Sequence, residues 1–157
     1  MIDLSYAIGM LAAFSRLGLS AIVLDHDRHV VELNDEAKRF LGSYIRIVDG
    51  RLGGIDRSSN EHFQSIITAA AKPQGGTSAG RDSFVLLPGP GVRPVIAYAA
   101  PIPPVGEDGA VVPGTIILLV SQDGHREPDT RLLEVLFAFT PAEMRLAIAL
   151  ALSLIHI

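Results

Sequence analysis

The feature that most constrains this chain is a series of short β-patterned runs joined by turn-forming linkers. Ala21–Asp25 and Val30–Asn34 flank the polar linker Asp25–His29, which reads as a hairpin turn. Ile45–Val48 and Arg51–Gly53 flank Asp49-Gly50, a dipeptide suited to a two-residue hairpin because both turn residues need positive φ. Ser83–Leu87, Pro94–Pro101 and Thr115–Val120 follow. Pro88-Gly89-Pro90-Gly91 joins the first two of these, and the longer loop Pro103–Gly114 joins the last two. The expected fold is α+β: an antiparallel meander of about five strands with helices on one face, plus flanking N- and C-terminal helices.

The helices are read from apolar spacing and punctuation. Residues 2–17 are apolar on more than one side. Tyr6, Met10, Phe14 and Leu17 form one stripe, and Leu4, Ile8 and Leu11 form another. A surface helix needs only one such stripe, so this one is expected to meet both its own domain and a second subunit. Asn34-Asp35-Glu36 caps a short helix over Glu36–Leu41, closed by Gly42. Ser58 or Ser59 is expected to cap a longer helix that runs to about Lys72. Phe63, Ile66, Ile67 and Ala70 form its core face. Another helical stretch is expected over Asp129–Phe139. Thr140, Pro141 and Glu143 then form a capping box that opens a last helix.

Composition excludes several functions. The 157 residues are 48% hydrophobic and 19% charged, enough to build a core. The mean hydropathy of +0.36 points to apolar surface committed to an interface or a pocket. There are no cysteines, which removes disulfides, thiolate metal sites, thiol nucleophiles and cysteine-dependent flavin photochemistry. The net charge of −4, without a Lys/Arg cluster, argues against direct binding of a polyphosphate backbone. Neither apolar terminal stretch reaches the ~20 residues of a membrane span, and the N-terminus lacks the basic start of a signal peptide. A cytoplasmic location without membrane contact is expected.

The stretch LSAIVLDHDRHVVELNDEAKRFLG, residues 19–42, resembles the opening of a PAS domain. The matched features are a strand ending at Asp25, a turn, a strand ending at Asn34, and a short helix closing at Leu41-Gly42. The rest resembles that plan in element order only, with the usual helix-rich middle reduced to a hairpin and one helix. FAFTPAEMRLAIALA, residues 137–151, resembles the first helix of a LuxR-type helix-turn-helix domain. Together these imply a PAS–LuxR transcription regulator. The expected organisation is a dimerisation helix over 1–18, a sensor domain over 19–124, and a linker helix with the start of a truncated DNA-binding domain over 125–157. Leu152–Ile157 departs from the family pattern, which continues with a Gly-Leu-Ser turn and a polar helix. DNA contact is expected only through the missing recognition helix of the full-length protein.

Other candidate chemistry is weaker. His26 and His29, three apart beside Asp25 and Asp27, have a metal-ligand flavour, but a solvated turn is the simpler reading. His62 lies in the first turn of the long helix, where exposure is favoured over haem ligation. The Gly75–Gly80 loop lacks a Gly-Lys-Ser/Thr ending and reads as a linker. No nucleophile elbow or paired-carboxylate pattern occurs, so neither a catalytic residue nor a metal site is expected. Phe63, Ile66, Ile67, Phe84, Val95 and Tyr98 are placed between helix and sheet. They form either plain core or the lining of a pocket for an unidentified small molecule, with Tyr98 as a polar contact. No other cofactor is expected. The functional expectation is a sensory and dimerisation domain of a regulator, a homodimer through the N-terminal helix. The alternative is a ligand-free protein–protein module.

Overall fold

A computed structural model describes residues 4–72, 83–90, 93–102 and 114–121. The chain divides into two compact units, Met1–Ser121 and Gln122–Ile157. The described residues all belong to the first. The expected helices over Asp129–Phe139 and after Thr140 lie outside the described residues, as does the Gly75–Gly80 loop.

The first unit contains α1 (Leu4–Arg16), β1 (Ser20–Leu24), β2 (Val30–Leu33), α2 (Asp35–Lys38), β3 (Ile45–Val48), β4 (Arg51–Gly54), α3 (Arg57–Ala70), β5 (Phe84–Leu87), β6 (Val95–Ile102) and β7 (Gly114–Ser121). Five strands form an antiparallel sheet in the order β2-β1-β7-β6-β5, while β3 and β4 pair as a separate hairpin. The class is therefore α+β with a five-stranded antiparallel sheet. It is not a simple meander, because β7 returns to lie between β6 and β1. The reason is visible in β1: all five of its residues are buried, and it forms ladders on both edges. A strand this apolar belongs at the centre of a sheet rather than at its edge.

Local chemistry sets the corners. α1 ends in a Schellman motif: Gly18 adopts φ 70°, its N–H donates to the Ser15 carbonyl, and the Leu19 N–H donates to the Phe14 carbonyl, each at 2.9 Å. The β1–β2 turn is held by the Asp25 carboxylate, which accepts the His29 N–H at 2.8 Å. Asp49 (φ 50°) and Gly50 (φ 74°) supply the two positive φ values expected of the β3–β4 turn.

Asn34 caps α2 and does more. Its Oδ1 accepts from the backbone N–H of both Ala21 and Ala37 at 3.0 Å, and its Nδ2 donates to the Leu19 carbonyl at 2.8 Å. One buried amide thus ties the start of β1, the end of β2 and the first turn of α2 together.

The cap of α3 is Asp56, not Ser58 or Ser59. Its carboxylate accepts the Ser59 N–H at 2.8 Å and the Ser58 hydroxyl at 2.6 Å. A carboxylate suits the positive end of the helix better than a neutral hydroxyl, so both serines fall inside the first turn.

Strand alternation divides the apolar side chains between two layers. On the inner face Ile22, Leu24, Val85, Leu87, Val95, Ala97, Ala99, Ile117 and Leu119 meet Phe63, Ile66 and Ile67 of α3, with Ala37 and Phe40 beside them. On the outer face Ala21, Val23, Ile102 and Ile116 meet Ala7 and Leu11 of α1. α1 and α3 therefore cover opposite faces of the sheet. Among the described residues no helix is long and apolar enough to cross a membrane.

Candidate functional site: the outer face of the sheet

The six side chains placed by sequence between helix and sheet do not stay together. Phe63, Ile66, Ile67 and Val95 share the inner core, each no more than 2% exposed. Phe84 and Tyr98 are 51% and 40% exposed. They lie on the outer face, because Phe84 alternates with the inward Val85 and Tyr98 with the inward Ala97 and Ala99. Strand parity carried this signal: Val95 and Tyr98 are three apart on one strand and cannot point the same way. Tyr98 is therefore not a polar contact for a ligand under α3.

Among the described residues the inner face holds one buried polar side-chain atom without a partner. Thr115 is fully buried between Leu24 and Pro101 in the β7 register, and its hydroxyl has no hydrogen-bond partner among the described residues. Such a group is costly in a core.

His26, His29 and His62 stay at the surface. His26 Nε2 lies 3.1 Å from an Asp27 carboxylate oxygen, and His29 Nδ1 lies 3.9 Å from Asp25 Oδ1. His62 is exposed on α3. Among the described residues no three His, Cys, Asp or Glu side chains converge as metal ligands.

What the strands do assemble is an apolar surface that sequence reasoning missed. Phe84 pairs with Tyr98, which pairs with Leu118; Leu86 pairs with Ile96, which pairs with Val120. These two cross-strand rows run side by side over β5, β6 and β7 on the outer face. Phe84, Leu86, Tyr98 and Val120 are each at least 40% exposed. β5 ends the sheet, so the rows reach its edge. An antiparallel sheet facing water on one side ordinarily presents polar residues there. Tyr98 contributes the one side-chain hydroxyl of the six.

α1 borders this surface. Tyr6, Met10 and Phe14 pack with Ala100 and Leu118 around the outer cluster. Leu118 thus joins the part of the outer face that α1 covers to the rows that no described helix covers. The stripes of α1 are also divided differently from the sequence expectation. Leu11 is buried with Ala7, while Leu4, Ile8 and Leu17 are each at least 50% exposed. Leu17 leaves its stripe because it sits at the Schellman turn rather than within the helix. Comparison of the chain with protein-family models, characterised proteins and solved structures finds no match.

Proposed function

We propose that this chain is the PAS-like sensory and dimerisation part of a bacterial transcription regulator, and that two copies associate through the outer sheet face and the exposed side of α1. The observation that carries this reading is the pair of apolar rows, Phe84-Tyr98-Leu118 and Leu86-Ile96-Val120, continuous with the cluster under α1. A large contiguous apolar surface on a monomer marks an interaction site. A two-fold arrangement buries the same patch on both copies, and helix-turn-helix regulators commonly read two half-sites as dimers. The strand-turn-strand-helix order over residues 19–42 and the α3 layer on a five-stranded antiparallel sheet support the PAS-like part of the reading. DNA contact is assigned to the helix-turn-helix that residues 137–151 would open.

A second reading, a protein–protein module that takes no ligand in its core, is favoured by one observation. Phe63, Ile66 and Ile67 fill the space between α3 and the sheet and are almost wholly inaccessible. Native mass spectrometry separates the two readings, since a retained small molecule adds mass to the purified chain.

The dimer is tested by light scattering, with circular dichroism as the control for folding. The wild type is expected to be a dimer at tens of micromolar, in the range where modest interfaces form. Phe84→Glu with Tyr98→Glu is expected to give a folded monomer. A monomeric wild type, or a double variant that remains dimeric, overturns the proposal.

A further inference from the structure

A second site lies away from the outer face, in the groove between the β3–β4 hairpin and α3. We infer that this groove binds a small organic oxyanion, a carboxylate or a phosphate, held by Arg46 and Arg51.

The hairpin register sets the arrangement. Arg46 pairs with Gly53 and Val48 with Arg51, and directly paired residues share a face. The two arginines therefore stand diagonally on one face of a four-residue ladder. Diagonal neighbours of this kind lie about 7–8 Å apart, within reach of long side chains, so both guanidinium groups can meet one anion. Among the described residues neither guanidinium forms a salt bridge or a hydrogen bond. The hairpin thus carries two arginines against one carboxylate, Asp49 in its turn, in a chain whose net charge is −4.

The groove is open to solvent and offers about 350 Å³, at the small end of the range for ligand pockets. Gly53 forms part of its floor. A Cβ there would come within 3.2 Å of Asn60 Oδ1 and 4.0 Å of Arg46 Nε, so the missing side chain leaves the space between Arg46 and α3 open.

The opposite wall is fixed. Gln64 Nε2 donates to the Leu52 carbonyl at 2.8 Å, and Asn60 Oδ1 accepts the Gly54 N–H at 2.8 Å. With its oxygen engaged in this way, the Asn60 amide still has an NH₂ group that donates to no described residue. Two guanidinium forks and an amide donor beside a glycine floor suit the several acceptor oxygens of a carboxylate or phosphate. Val48, 55% exposed on the same face, offers apolar contact to a short carbon body. This site does not depend on the dimer, because none of its residues lies on the five-stranded sheet.

The test is a titration of the ¹⁵N-labelled full chain, followed by NMR, with inorganic phosphate in one series and butyrate in another. At least one anion is expected to give saturable shifts at the Gly53 and Gly54 backbone amides and the Asn60 side-chain amide. The stronger binder identifies the class, phosphate or carboxylate. Arg46→Gln with Arg51→Gln should weaken binding at least tenfold while the spectrum elsewhere stays that of the folded protein. Gly53→Ala should also weaken it, with both arginines in place. The proposal fails if neither anion gives saturable shifts, or if the shifts persist unchanged in the double arginine variant.

Discussion

On β6, Val95, Ala97 and Ala99 are buried under α3, while Tyr98 between them is 40% exposed on the other side of the same strand. The two faces use equally apolar side chains but differ in cover. The inner face has α3 over β5, β6 and β7, and α2 against β1. The outer face has α1 over β1 and β2, with Ala100 and Leu118 packed against the same cluster. Apolar content alone therefore does not distinguish core from interface. Among the described residues, what distinguishes them is whether a helix reaches the strand, and on the outer side α1 packs on β1 and β2.

The sharpest way to break this comparison is to truncate one aromatic ring on each face. Phe63 is fully buried among inner-face residues, so Phe63→Ala is expected to cost about 4 kcal/mol of unfolding free energy. Phe84 is half exposed, so Phe84→Ala is expected to cost less than about 1 kcal/mol when measured at concentrations too low for association. Urea unfolding of both variants measures the contrast. Equal losses would mean that the outer face is as fully packed as the inner one in the isolated subunit.

A somewhat smaller loss is expected where the two layers meet. Asn34→Ala removes the acceptor for the Ala21 and Ala37 N–H groups, both on buried residues, and strands the Leu19 carbonyl. Unsatisfied buried groups of this kind cost about 1–3 kcal/mol each before relaxation, and a total of roughly 3 kcal/mol is expected. Asn34→Asp keeps the acceptor and loses the donor, so it should recover part of this. Urea unfolding of both variants sets the order, and an Ala variant as stable as the Asp variant would show that the two N–H groups find other partners.

Much of this architecture was legible in the sequence. The Asp-Gly turn, the Asn34 cap and the α3 core face all follow from local patterns, because each is determined by a few adjacent residues. The position of β7 was not legible as a meander step. It depends on which strand β1 accepts as its second neighbour, a contact between Ser20–Leu24 and Thr115–Leu119 that no local signal encodes. The assignment of Phe84 and Tyr98 to a pocket failed for another reason. Apolar side-chain type does not encode strand parity, and parity on β5 and β6 turns both outward. The arginine groove has no local sequence signature, because Arg46 and Arg51 are five apart, a spacing with no meaning until the hairpin register folds one strand back on the other.

The smallest expected effect concerns how α3, the inner-face helix, responds to acid. Asp56 is held below its ordinary 3.8, first by the hydrogen bond from the Ser58 hydroxyl, then by the Ser59 N–H and the Ser59 hydroxyl. A carboxylate whose value is lowered by folding is more readily ionised in the folded state than in the unfolded state. Its contribution to stability is then complete above the unfolded value near 3.8 and is lost as the pH falls through the lower folded value. Asp56→Asn keeps a side-chain oxygen at the cap but carries no charge, so it should lack this acid limb. Thermal unfolding of wild type and variant from about pH 6 down to about pH 2 should show a wild-type advantage that shrinks toward the acid end. A constant difference between the two proteins across that range would mean that the hydrogen bonds at Asp56 are made equally well by an uncharged side chain. The inner-face helix would then owe its start to geometry alone.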